Sequence, residues 1–307
     1  GPHTQTILGR YWGRHRVLPS DSKHEVLLPD GDRLVVLLRQ NSRDDLPVVY
    51  LFHGLGGSTD SDYMPRTATQ LARAGHTVVM GNHRGCGPGA GLALRPYHSG
   101  RADDLSQVIA WGRARFPLQR HIAIGFSLSG NALLLLIGGR PEFPQPDAVI
   151  TVNAPLDLAR SADLLDSGLS KLYQWRFVLD VRADVERRVR TGLMKSAIPI
   201  SAFDTLKAVD DLFTAPLSGF LDRHDYYARS SSGPHLGNIK IPTLAITAAD
   251  DPFVDVQTYR SARPSAFVQL HIERHGGHMG FLSDQLNEIG TRHWLDLALL
   301  RGVALVG

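Results

Sequence analysis

The 307-residue chain is 43% apolar and 21% charged, enough aliphatic content to bury a sizeable core and too much for a disordered chain. Its net charge of +3 comes from an arginine-dominated basic set dispersed among nearly as many acids, with no basic block interleaved with aromatics, which excludes nucleic acid as a partner. No apolar run reaches the roughly 18–20 residues of a membrane-spanning helix, the longest being the short segment from Ala132 to Ile137.

In chain order, apolar runs at residues 25–28, 33–38 and 48–52 predict the first strands. The third leads into His53-Gly54-Leu55-Gly56-Gly57-Ser58. Glycines let this backbone turn sharply and approach a ligand, so the loop can aim the Leu55 N–H at a developing oxyanion. It lacks the Gly-Lys-Ser/Thr ending of a phosphate loop and the dinucleotide glycine spacing. Helices over 63–74 and 102–115 enclose a strand at 76–80. Between them lies Cys86, the only cysteine; it permits no intrachain disulfide or cysteine metal cage and favours a reducing, cytoplasmic compartment.

A strand at 121–125 then runs into Gly125-Phe126-Ser127-Leu128-Ser129-Gly130 and a helix over 127–139. A strand-to-helix turn this tight holds its serine in a strained conformation and needs small residues two before and two after it. Gly125 and Ser129 fill those places, although glycine is usual at the second. Ser127 is therefore the candidate nucleophile, with the Leu128 N–H as second oxyanion donor.

After a strand at 148–152, residues 155–238 carry helical patterns and no convincing strand. This interval reads as a lid or as an ordinary helical insertion. Leu172, Trp175 and Leu179 fall at helical spacing, as do Val178, Val181, Val185 and Val189. The basic stretch from Arg182 to Arg190 also contains Asp184 and Glu186 and reads as a solvated helix face.

The strand at 243–247 is followed by Asp250-Asp251-Pro252 and a helix at 257–263, and the strand at 268–272 by His275-Gly276-Gly277-His278. A serine hydroxyl needs a base, and the base needs a carboxylate that fixes its tautomer. His278 is the preferred base, with His275 as alternative. Asp251 is the preferred acid, with Asp250 as rival or as a turn and capping residue. A closing helix is predicted near 284–301. His271, His275 and His278 do not share a helical face, which argues against a metal site. The order Ser127, Asp251, His278, preceded by the Leu55 loop, is that of the α/β-hydrolases and of neither the chymotrypsin-like nor the subtilisin-like folds.

The chain also resembles the YheT-like branch of that superfamily, related to the plant embryogenesis-associated hydrolases and the mammalian α/β-hydrolase-domain lipases. Carrying the resemblance are Pro2-His3-Thr4-Gln5-Thr6, Asn82-His83-Arg84-Gly85-Cys86-Gly87, Asn131, Phe203-Asp204, Thr214-Ala215-Pro216, Gly219-Phe220, Asp225-Tyr226-Tyr227 and Asp250-Asp251-Pro252-Phe253. The branch pattern at the nucleophile reads Gly-Phe-Ser-Leu-Gly-Gly-Asn, so Ser129 departs from it. The resemblance implies hydrolysis of carboxylic esters with short to medium acyl chains, and some relatives act on phospholipids or transfer acyl groups to alcohols.

The expectation is thus a single α/β-hydrolase domain over 1–307, with a mostly parallel eight-stranded sheet, helices on both faces and a helical lid at about 155–238. Ser127, Asp251 and His278 are the expected catalytic residues, Leu55 and Leu128 the oxyanion donors, and Trp175 and Phe220 the expected lining of an acyl pocket. No metal or organic cofactor is called for. The partner is a small-molecule ester or lipid, with no nucleic acid and no transmembrane segment in the chain, and the oligomeric state is left open. Acyl transfer to an alcohol, phospholipase action and a non-catalytic ligand-binding protein on the same fold stand as alternatives.

Overall fold

In a computed structural model, which describes residues 1–11, 22–194 and 199–307, the apolar runs pair into one eight-stranded sheet of order β1-β2-β4-β3-β5-β6-β7-β8. β1 (Ser22–Leu27) and β2 (Arg33–Arg39) are antiparallel at one edge. β3 (Val48–Phe52), β4 (Thr77–Gly81), β5 (His121–Phe126), β6 (Ala148–Val152), β7 (Thr243–Ala248) and β8 (Val268–Glu273) run parallel. Every residue of β3 to β7 is buried, as covering both faces of a parallel sheet requires.

The two-residue alternation of the strands divides the core. Tyr50, Phe52, Ala123, Val149 and Ala245 meet α3 (Ala102–Arg115) and α4 (Leu128–Gly139) on one face. Val49, Leu51, Ile122, Ile124 and Ile150 meet α2 (Tyr63–Arg73) and α11 (Trp294–Val306) on the other. Each buried Leu or Ile side chain contributes roughly 1.5–3 kcal/mol of transfer free energy. From Leu128 to Ile137 no residue of α4 is exposed, so the helix that follows the elbow is fixed on all sides.

Between β6 and β7 lie α5 (Leu158–Leu165), α6 (Lys171–Arg190), α7 (Leu206–Val209), a π-helical turn (Asp210–Thr214), α8 (Ala215–Ser218) and α9 (Arg223–Ser230). Among the described residues this insertion holds no strand; 195–198 lie outside them. It has its own apolar cluster of Val178, Val185, Phe203, Leu206, Val209 and Phe213, joined by Phe253 from the loop after β7. No helix of the described residues is long and apolar enough to cross a membrane.

The helices depart from the sequence expectation in three places. α1 (Pro2–Tyr11) has no counterpart in it. α10 (Val256–Arg260) stops short of residue 263, where Pro264 disfavours helical backbone in the residue before it. The closing helix begins at Trp294 rather than near 284. In the residues ahead of it the Asn287 side chain bonds Thr291 and the His293 carbonyl, and Gly290 adopts a φ of 75°, so local side-chain bonding wins over helix.

Candidate active site

At the end of β5 the chain turns through Ser127, whose φ of 53° and ψ of −117° are strained for a residue with a β-carbon. The turn is held because the Ser127 N–H donates to the Val152 carbonyl at 2.8 Å and α4 follows at once. A Cβ on Gly125 would lie 2.6 Å from the Ser129 carbonyl oxygen, and one on Gly130 would lie 2.9 Å from the Ala154 Cβ. The elbow therefore requires glycine at 125 and 130 and tolerates a side chain at 129. Ser129 is fully buried; its Oγ donates to the His53 carbonyl and lies 2.7 Å from His83 Nε2.

The loop after β8 brings His278 Nε2 to 3.0 Å from Ser127 Oγ, while His278 Nδ1 lies 2.8 Å from Asp251 Oδ2. A carboxylate there accepts the Nδ1 proton, which leaves the Nε2 lone pair facing the serine hydroxyl. Asp251 is itself oriented, because its Oδ1 accepts the Phe253 and Val254 N–H groups at 2.8 and 3.1 Å. Asp250 does a different job, accepting the Gly276 and Gly277 N–H groups at 2.9 Å each and so shaping the histidine loop. His275 stands 65% exposed with its ring toward Asp250, away from Ser127.

α1 clamps the same loop. The His278 N–H donates to Thr6 Oγ1 at 2.9 Å, and the Gln5 amide exchanges two hydrogen bonds with the Leu282 backbone. A Cβ on Gly277 would come within 2.4 Å of the Pro2 carbonyl oxygen and one on Gly280 within 2.2 Å of that of Gln5. Only glycines allow this close a dock. From the other side, Asn153 donates to the Gly277 carbonyl and accepts the Ala248 N–H.

The loop after β3 packs on the elbow, with a Cβ on Gly54 placed 3.1 Å from that of Ser127. The Gly54 N–H donates to Tyr63 Oη and the Gly56 N–H to Tyr97 Oη. Beneath it the His83 N–H donates to His53 Nε2 at 3.1 Å, so His53 carries its proton on Nδ1 and donates to the Gly54 carbonyl at 2.8 Å. Burial drives the His53 pKa down to about 4 and that of His83 well below its usual value, so both rings are neutral. Among the described residues the Leu55 N–H has no hydrogen-bond partner, nor has the Leu128 N–H at the first position of α4. The positive end of the α4 dipole favours negative charge at that point.

Ser127, His278, Leu55 and Leu128 line a cavity of about 790 Å³ whose remaining wall is largely the insertion, including Leu158, Leu165, Val209 and Phe213. Trp175 does not line it and is 62% exposed on the outer side of α6. Tyr173, Phe177 and Val181, one helical turn apart, are the large apolar α6 side chains that do, beside the charged Arg176, Asp180, Asp184, Arg187 and Arg190 of the same helix. Phe220 packs instead against His98 and Tyr226, under the Arg229 guanidinium. The residues that support the site but receive no role from sequence are Thr6, Gln5, Tyr63, Ser129 and Asn153; the signals among them are Gln5 and Thr6, which belong to the family resemblance, and Ser129, where glycine is usual. A hydroxyl, a neutral imidazole acceptor, a buried carboxylate and two free N–H donors on one cavity wall can perform nucleophilic acyl chemistry.

A family model described as the alpha/beta hydrolase fold matches residues 47–285. YheT of Escherichia coli (strain K12) is 31% identical over 303 residues, covering 96% of this chain and 87% of that protein. The monoacylglycerol lipase of Saccharomyces cerevisiae is 25% identical, over 89% of this chain and 61% of its own. Among solved structures, the Pyrococcus furiosus esterase Pf2001 aligns with a TM-score of 0.63 at 16% identity, covering 94% of this chain and 91% of that one. At that identity the likeness concerns the fold.

Proposed function

The chain belongs to the α/β-hydrolase fold family as a hydrolase of esterase/lipase type, and we propose that within it the protein is a serine carboxylesterase acting on carboxylic esters of short to medium acyl chains through an acyl-enzyme on Ser127. The observation that carries this reading is the unbroken chain of hydrogen bonds from Ser127 Oγ through His278 to Asp251 at the wall of the cavity. His278 takes the hydroxyl proton as Ser127 attacks the ester carbonyl, and Asp251 stabilises the imidazolium that forms. The Leu55 and Leu128 N–H groups hold the oxyanion, each worth about 3 kcal/mol of barrier lowering. His278 then protonates the departing alcohol, and a water molecule, deprotonated by the same ring, releases the acid.

The helical interval at 155–238 acts as the lid that shapes the acyl pocket, with Phe177, Val209 and Phe213 rather than Trp175 and Phe220 as its apolar lining. The name of the yeast relative supports lipid esters as the substrate class. A single cysteine suits a reducing, cytoplasmic setting. Labelling with a fluorophosphonate followed by peptide mapping tests the reading: modification is expected at Ser127 and lost in Ser127→Ala. Folded wild-type protein that hydrolyses no ester and takes no label at Ser127 refutes it.

A further inference from the structure

Among the polar groups of the cavity that have no part in the chemistry above, Asp210 is set apart by lacking an ion-pair partner among the described residues, while other lining acids such as Asp180 and Asp184 pair with arginines. Asp210 opens the π-helical turn between α7 and α8, a rare geometry that recurs at functional sites, and it lines the same cavity as Ser127. Its neighbours along the chain, Val209 and Phe213, are buried apolar residues. Tyr227 Oη, from α9, donates to its Oδ2 at 2.7 Å, and the Thr214 hydroxyl lies beside it. A carboxylate offers about four lone-pair positions, so the two donors leave acceptor capacity unused. No cation sits at ion-pair distance from Asp210 among the described residues; Arg223 is paired with Asp211 instead. Desolvation raises the Asp210 pKa to about 6, with Asp211 adding to the rise and the Tyr227 and Thr214 hydrogen bonds and the Arg223 charge opposing it.

We propose that Asp210, oriented by Tyr227, is a specificity subsite that accepts a hydrogen bond from a hydroxyl group carried by the substrate away from the scissile ester, on its acyl or its alcohol part. The proposal rests on Ser127 being the nucleophile of this cavity. A hydroxyl fits better than an ammonium group, because it fills the free acceptor position without desolvating a second charge against apolar walls. A site that hydrogen-bonds a substrate hydroxyl also discriminates against the analogue that lacks it, since the acceptor is then left unpaired.

The test compares kcat/KM for ethyl octanoate with hydroxyethyl octanoate, ethyl ω-hydroxyoctanoate and aminoethyl octanoate between about pH 5 and pH 8. Taking ratios of the two hydroxylated esters to the plain one cancels the titration of the triad. Tyr226 and Tyr227, both held protonated by burial, and the Asp211–Arg223 ion pair are the titratable and charged groups around Asp210. In wild type one hydroxylated ester is expected to be favoured roughly tenfold above pH 7, falling several-fold as Asp210 protonates near pH 6. In Asp210→Asn the ratio should drop toward one and lose its pH dependence, and in Tyr227→Phe it should fall. The wild-type profile and Tyr227→Phe still decide the matter if the first variant does not fold. Ratios within twofold of one at every pH overturn the subsite, as does a larger preference for the aminoethyl ester or an Asp210→Asn protein that keeps both ratio and slope. Wild type that turns over none of the esters refutes the nucleophile reading instead.

Discussion

Ser129→Ala removes one hydroxyl from the interior, and its effect can be worked from the bonds that hydroxyl makes. In the native protein Ser129 Oγ donates to the His53 carbonyl and lies 2.7 Å from His83 Nε2, with no surface exposed to solvent. Since Ser129 Oγ gives its one proton to the His53 carbonyl, its contact with His83 Nε2 requires the ring to donate, so the His83 Nε2 proton points at Ser129. Alanine leaves that proton with only the 3.1 Å contact to the His53 carbonyl. An under-satisfied buried group costs about 1–3 kcal/mol, and 2 kcal/mol in a protein of this size lowers Tm by about 3 °C. The His53 carbonyl is one peptide removed from the Leu55 N–H, and complete loss of an oxyanion donor lowers kcat roughly 10²- to 10³-fold. A donor displaced rather than deleted should lower kcat about tenfold with KM little changed. Thermal melts and steady-state kinetics on a short-chain ester measure both quantities. A Ser129→Ala protein that melts within a degree of wild type and keeps its kcat would refute the view that this hydroxyl locks the loop.

Asp251→Asn should lower kcat by about 10⁴, as loss of the tautomer-fixing acid does in a Ser-His-Asp triad, whereas Asp250→Asn should act mainly on stability, by about 2 kcal/mol, through the Gly276 and Gly277 N–H groups; the reverse pattern in kinetics and melts would exchange their roles. Thr6→Val keeps the shape of α1 but removes the acceptor of the His278 N–H, and is expected to lower kcat several-fold with a Tm change equivalent to about 1 kcal/mol; unchanged kcat would make that contact incidental. Stability should fall in acid. Burial depresses the pKa values of His53, His83 and His98, so the stability these neutral rings carry is present above pH 6.5 and lost as pH falls toward the folded value, about 4 for His53. For His53 alone that is about 3 kcal/mol. Asp210, raised to about 6, contributes with the opposite sign. A Tm that stays flat from pH 7 to pH 4.5 would contradict the assignment.

The central strands are legible in sequence because a parallel strand covered on both faces must be apolar throughout, as 48–52 and 148–152 are. β1 is harder to read: it begins three residues earlier than the apolar run, since the polar Ser22, Lys23 and His24, exposed or half-exposed, still pair with β2. α1 offers no apolar stripe, with Ile7 and Leu8 exposed, and is held by glycines some 270 positions away. The juxtaposition of Ser127, Asp251 and His278 follows from chain order and from loops that share the carboxyl ends of parallel strands. Their supports do not follow, because a Thr6 or an Asn153 is an ordinary residue until a distant backbone group becomes its partner. On α6 two stripes of large apolar residues lie little more than half a turn apart, and only the tertiary neighbours decide that Phe177 rather than Trp175 faces inward.

The bond between Thr6 and the His278 backbone joins positions 272 apart, nearly the two ends of the chain. Closing so long a loop is among the slowest and entropically dearest steps in forming a fold, so competence for turnover should arrive last on refolding, after the sheet and its buried helix have formed. On heating the order reverses: a ten-residue helix with little buried surface undocks at a lower free energy than the core. His278 would then lose its backbone anchor in a protein whose spectroscopic signature is still native, and, if it is the base proposed above, the temperature of half-inactivation should lie several degrees below the calorimetric midpoint.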